Sequence, residues 1–168
     1  RKLSDLLPAE HTATEHQEPD LLPIPAEIME AVCSDDALVF INTAGLCPER
    51  QKAGSSSRDN PGEAYLALAI ARRLIERGLR AEHIGIIAPY RDMVDRLRMM
   101  RRTPELEVHT VDGFQGREKE VIILSLVRSN QERYVGFLED LRRLNVSITR
   151  ARRKLIVIGD KDTVSGDP

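Results

Sequence analysis

Two stretches of this 168-residue chain place residue types at spacings that suit phosphate chemistry. Val108-His-Thr-Val-Asp-Gly-Phe-Gln-Gly-Arg-Glu118 sets a glycine-punctuated turn directly before a β-branched run, and Arg143-Leu-Asn-Val-Ser-Ile-Thr-Arg-Ala-Arg152 ends an amphipathic stretch in arginines. Gly116 carries no side chain, so its backbone can approach a phosphate closely. The carboxylate of Glu118 can accept hydrogen bonds from a ribose hydroxyl. Arg150 is the candidate catalytic group. Phosphoryl transfer spreads negative charge over terminal phosphate oxygens, and a positioned guanidinium there accelerates other nucleotide hydrolases by about three to five orders of magnitude. A helix C-terminus also favours positive charge with no chemistry attached, and that reading of Arg150 stays open on pattern alone.

A complete nucleotide site needs more than this. No glycine is followed by lysine, so the phosphate-cradling pattern Gly-x-x-x-x-Gly-Lys-Ser/Thr is missing. Asp160 stands alone after Ile158-Gly159 rather than in an acidic pair suited to hold magnesium. The chain is therefore expected to supply one half of an ATP site and to be inactive alone. Cys33 and Cys47 lack zinc-site spacing and read as structural thiols, and no metal site is expected.

The elements that must position these residues follow from apolar spacing. Leu38–Ile41, Ile84–Ala88, Val121–Val127 and Leu155–Ile158 are short non-alternating apolar runs, read as strands, with a brief strand at Val108–Thr110. Helical spacing joins Ala64, Leu68, Ala71 and Ile75, with Gly78 as the stop, and then Met93, Leu97 and Met100, with Asp92 and Arg96 paired on the outer face. Leu138, Leu141, Leu144, Ile148 and Ala151 predict a helix over that region, with Arg143, Ser147 and Arg150 off its apolar face. Gly45 to Gly62 has the composition of a mobile surface loop. Buried strands separated by helices imply an α/β, doubly wound, mainly parallel sheet with helices on both faces. Ligands of such sheets gather beyond the carboxyl ends of the strands, so the loops at Pro89-Tyr-Arg91, Thr110–Glu118 and Thr149–Arg152 are expected to converge on one edge.

Charge divides the chain. Residues 1–36 hold nine acidic and two basic side chains, a net −7, and the other 132 a net +5 from eighteen acidic and twenty-three basic groups. The first part, with four prolines and no glycine, reads as an irregular acidic lead-in, and residues 37–168 as the folded domain. Arg1 in place of methionine suggests a piece of a longer protein. No apolar run approaches the ~18 residues of a membrane span and no basic segment leads into an apolar one, which points to a cytoplasmic or, in a eukaryote, nuclear location. Aromatic content of 4% with no tryptophan argues against broad base stacking.

Val-Asp-Gly-Phe-Gln-Gly-Arg-Glu-Lys119 and Leu144-Asn-Val146 with Thr149-Arg-Ala-Arg152 resemble motifs V and VI of superfamily 1 helicases, in the branch of the nonsense-decay factor Upf and the immunoglobulin mu-binding helicase. Asn60-Pro-Gly-Glu-Ala64 resembles the same branch. The resemblance covers about residues 37–160. It implies the second RecA-like domain of an ATP-dependent helicase, P-loop NTPase-like without the P-loop. A first RecA-like domain elsewhere would carry the phosphate loop and the magnesium ligands. By resemblance Arg150 contacts the γ-phosphate, Arg152 has a supporting or interdomain role, and Gly116 and Glu118 line the nucleotide pocket. Tyr90 and Arg91 stand where motif IV is sought, to stack on adenine and contact phosphate, although Met93 holds a position where that branch tends to have glutamine. Thr110 and Pro89 are expected against the backbone of single-stranded DNA or RNA. Asp112 is expected to pin the motif V turn, Phe114 to be core, and His109 to be an ordinary strand residue. Two other readings remain: a degenerate, non-catalytic RecA-like scaffold or nucleic-acid-binding module, and a free-standing small-nucleotide enzyme, which the missing phosphate loop disfavours.

Overall fold

Five parallel strands form one sheet in the order β1-β5-β4-β2-β3 in the computed structural model, which describes residues 24–165. The strands are β1 (Leu38–Asn42), β2 (Ile84–Ala88), β3 (Glu107–Thr110), β4 (Lys119–Ser125) and β5 (Ala151–Gly159). The helices are α1 (Ala26–Cys33), α2 (Pro61–Glu76), α3 (Arg91–Met100), α4 (Leu141–Ile148) and the short α5 (Lys161–Val164).

The two faces are covered unequally. On one, α1, α2 and α3 bury Val39, Ile41, Ile84, Ile86, Val108, Val121, Ile123, Ile156 and Ile158. On the other, Phe114 and Val111 pack with Ile87, Ile122, Leu124 and Leu155, and Leu144 and Val146 of α4 lie against them. Phe114 is indeed core. This second layer is thin, and Leu38, Phe40 and Ile148 remain 62%, 45% and 44% exposed. Connections that step toward β3 run over the first face, and those that step back toward β5 over the second. Right-handed crossovers impose that alternation on a parallel sheet.

Several local details carry the frame. Asn60 caps α2 by accepting from Glu63 N, Pro61 fills the first turn, and the αL residue Gly78 (φ 99°) follows its C-cap. Gly85 lets Phe114 pack under β2, because a Cβ there would stand 2.6 Å from the ring. The open edge of β3 is blunted by arginine side chains, with Arg98 Nε donating to Val108 O and Arg101 Nη1 to Leu106 O.

Four expectations change. The stretch to residue 36 is not irregular throughout: 26–33 form α1, whose Val32 is fully buried, while residues 1–23 lie outside the described residues. The cause is distant. Lys154 Nζ on β5, itself 1% exposed, donates to Ala31 O and Ser34 O at the end of α1. The predicted helix to Ala151 is shorter, a 3-10 turn at Gly136–Glu139 followed by α4, and Ala151 begins β5. Thr149 Oγ1 and Arg150 Nε satisfy carbonyls of the last turn, and Lys119 N bonds to Arg150 O as β5 joins the sheet. The side chains of Leu138 and Leu141 lie outside the described residues. Arg96 pairs with Asp59 rather than with Asp92. Leu126 and Val127 leave β4, with Val127 in left-handed backbone at φ 69°.

Candidate functional site

The predicted residues fall on two opposite edges of the sheet rather than one. Lys119 pairs with Ala151 where β4 and β5 begin, so Gly116, Glu118 and Arg150 sit at the amino edge. Pro89, Tyr90 and Arg91 follow β2, and Thr110 ends β3, at the carboxyl edge. The seven residues of β4 separate the edges by about 20 Å at ~3.3 Å per residue. The expected convergence on one edge is therefore corrected: Tyr90 and Arg91 stand at the edge opposite Arg150. Strand-end rules describe loops that leave a strand, whereas the motif V chain runs back beneath the sheet to enter β4 from its start.

At the amino edge, Arg150 occupies the two-residue turn between α4 and β5. Its Nε donates to Val146 O at 3.2 Å, Nη2 to Thr149 Oγ1 at 3.4 Å and Nη1 to Arg117 O at 3.5 Å. The guanidinium thus lies against the peptide between Gly116 and Glu118. Among the described residues no carboxylate reaches it, whereas Arg117 pairs with Glu107, Arg152 with Glu118 at 3.0 Å, and Arg153 with Glu120. A half-buried cation held only by neutral oxygens has no paired carboxylate to give up before it meets an incoming anion. Gly116 has φ +77°, which favours glycine, and nothing lies within 4 Å of where a Cβ would be. The edge therefore offers a cation for phosphate, open backbone and a surface carboxylate, a donor set that fits part of a nucleoside triphosphate.

The motif V turn is pinned differently from expectation. Thr110 Oγ1 accepts from Gly113 N at 3.2 Å, while the Asp112 carboxylate turns outward to Arg143 at 3.3 Å. His109 does more than fill a strand. Its ring meets Phe114 edge-on, and Arg98 and Arg117 each stand 3.2 Å from one of its nitrogens. Burial first, and then those two cations, hold its pKa below the usual imidazole value.

The carboxyl edge is built on a buried polar network. Glu63 is fully buried and accepts from Ser125 Oγ at 2.5 Å, Val127 N at 2.9 Å and Thr43 Oγ1 at 3.3 Å. Burial pushes its carboxyl up to about 7 against the bonds that favour the charged form. Asn60 Nδ2 reaches Cys47 O and Val127 O, and a Cβ on Gly62 would stand 2.5 Å from Cys47 Sγ. Asn60-Pro-Gly-Glu-Ala64 thereby gains a physical role: it ties the start of α2 to the loop leaving β4. That loop carries Arg128, 3% exposed, whose Nε donates to Glu49 Oε2 at 2.8 Å and Nη1 to Tyr90 Oη at 3.3 Å. Ser129 and Thr163 fix Asp160 by hydrogen bonds that outdo its burial and lower its carboxyl pKa. Sequence reasoning missed Glu49, Glu63, Arg128 and Lys154. The usable signal was polar residues beside apolar runs, at Glu63 before Ala64 and Arg128 after Val127.

An all-parallel five-stranded sheet with helices on both faces defines an α/β class. Residues 4–162 match the model of the AAA domain family, and the chain belongs to that family as a superfamily 1 helicase C-terminal region with a RecA-like α/β fold. It is 48% identical over 131 residues to the DNA-binding protein SMUBP-2 of Rattus norvegicus, covering 76% of this chain and 13% of that protein. An uncharacterized ATP-dependent helicase of Methanocaldococcus jannaschii is 41% identical over 143 residues, 84% of this chain and 20% of that protein. Regulator of nonsense transcripts 1 of Dictyostelium discoideum is 40% identical over 142 residues, 79% and 10%. The chain thus spans a fifth or less of the length of these relatives. No helix among the described residues is long and apolar enough to cross a membrane.

Proposed function

We propose that this chain is the second motor domain of an ATP-dependent helicase or translocase, with a nucleotide edge and a nucleic-acid edge on opposite sides of its sheet. The observation that carries the reading is Arg150, a guanidinium without a carboxylate partner among the described residues, held by Val146, Thr149 and Arg117 oxygens beside Gly116. In this reading Arg150 neutralises charge that develops on the γ-phosphate of ATP held chiefly by a first RecA-like domain. Glu118 accepts from the ribose, released from Arg152 as it does so, and the Gly116 backbone approaches phosphate. Hydrolysis of bound ATP supplies the free energy that opens and closes the two domains. In this reading the ligands of the magnesium that accompanies ATP lie on the first domain.

Thr110 contacts the phosphates of single-stranded DNA or RNA at the carboxyl edge, where hydroxyls and backbone amides grip without reading sequence, and Pro89 abuts the strand's backbone. Tyr90 and Arg91 belong to that edge in this proposal and leave the adenine role. A cytoplasmic or nuclear setting goes with either nucleic acid. The division of labour has a direct test in the purified 168-residue chain supplied with ATP, magnesium and single-stranded DNA. Phosphate release stays at background if the site is half of a pair, and sustained turnover overturns the proposal.

A further inference from the structure

The loop between β4 and α4 lifts one aromatic ring clear of the surface at the carboxyl edge. Tyr134 is 55% exposed, although its ring lies over the Arg128 guanidinium, 5.0 Å from centroid to carbon. The support beneath it is buried and hydrogen-bonded. Arg128 is 3% exposed and held by Glu49 and by the Tyr90 hydroxyl. The Tyr134 backbone is clamped from both sides by one amide, Tyr134 N donating to Asn130 Oδ1 at 2.9 Å and Asn130 Nδ2 donating to Tyr134 O at 3.0 Å. Asn130 Nδ2 in turn donates to Glu49 Oε2 at 3.2 Å, so ring, cation and clamp share one carboxylate. Left-handed backbone at Arg133 (φ 53°) and Gly136 (φ 55°) turns the chain on either side of the ring.

The position matters as much as the support. β2 sends its connection over one face and β4 over the other, so the ends of these neighbours border a switch-point crevice, where open sheets take ligands. Tyr90, next to Pro89, touches the base of the platform through Arg128. Glu49 already neutralises Arg128, which leaves the flat ring rather than a free cation as the recognition element.

We infer that Tyr134 is a stacking platform for one unpaired base of a single-stranded nucleic acid, a ligand subsite that reads the presence of a base and not of a phosphate. The inference rests on the nucleic-acid edge proposed above. Every base has a π-face, a ring fixed in advance loses little freedom on binding, and a paired base is unavailable to it.

The test is fluorescence anisotropy with the 168-residue chain and two labelled strands of equal length, oligothymidine and its abasic counterpart. Tyr134→Ala weakens binding to the thymidine strand by about tenfold, Tyr134→Phe binds as the unaltered chain does, and all three bind the abasic strand alike. The slope of affinity against salt stays the same in Tyr134→Ala, since no phosphate contact is lost. Undiminished binding of Tyr134→Ala to oligothymidine overturns this inference alone, as does an equal loss on both strands. Failure of the unaltered chain to bind either strand overturns the nucleic-acid edge and this subsite with it.

Discussion

Replacing Glu63 by glutamine removes a pH dependence that the native fold builds in. Glu63 is fully buried, and its carboxyl rises from an ordinary 4.5 to about 7. Between those values the unfolded chain has released the proton and the folded chain still holds it. Folded protein therefore binds more protons, and stability falls as pH rises across that window, with the full loss present above it. The shift corresponds to about 3 kcal/mol. Glutamine keeps the shape: its oxygen can accept from Ser125 Oγ and Val127 N, and its amide can donate to a turned Thr43 hydroxyl. Urea denaturation of both proteins at about pH 5 and about pH 8 isolates the effect, because other titrating groups cancel in the difference. The unaltered protein loses about 3 kcal/mol more than Glu63→Gln over that interval. Parallel stability curves for the two proteins would refute the reasoning. The consequence reaches the proposed function, since the same carboxylate holds Val127 N at the root of the loop that carries Arg128.

Gly85→Ala overpacks Phe114, whose ring would lie 2.6 Å from the new Cβ, and is expected to cost about 1–3 kcal/mol, read as a fall in thermal midpoint of several degrees. Arg91→Ala in the full-length protein leaves ATP affinity unchanged, because the side chain is exposed at the edge opposite Arg150, and a large loss by nucleotide-binding titration would contradict the two-edge arrangement.

What the chain's pattern discloses has a physical limit. The cores of β2, β4 and β5 were legible because central parallel strands are buried on both faces and read as continuous apolar runs. Gly116, Glu118 and Arg150 lie near one another because β4 and β5 start in register, Lys119 opposite Ala151, and the chain's pattern offered that grouping only through the resemblance of its motifs. α1 was not legible, since it is held by Lys154, distant in sequence, and a single lysine inside an arginine-rich run gives no local sign of burial. The end of α4 was misread because the apolar period continues through Ala151 while the Thr149 and Arg150 side chains consume the last carbonyls. The opposition of two edges follows from chain order in a parallel sheet, since Gly116–Glu118 precede β4 and Thr149–Arg150 precede β5 whereas Pro89–Arg91 follow β2. The rule that ligands gather beyond carboxyl ends covers only the loops that leave a strand, and applying it to all three segments hid that difference. The Glu63 network joins Thr43 just after β1, Glu63 of α2 and Ser125 of β4, which no local window contains.

The most direct measurement is single-turnover ATP hydrolysis by the full-length protein with Arg150→Ala, with ATP affinity measured alongside. Loss of one positioned guanidinium predicts a hydrolysis rate lower by about a hundredfold or more with affinity held within about an order of magnitude. A variant that hydrolyses ATP at the unaltered rate would contradict the account.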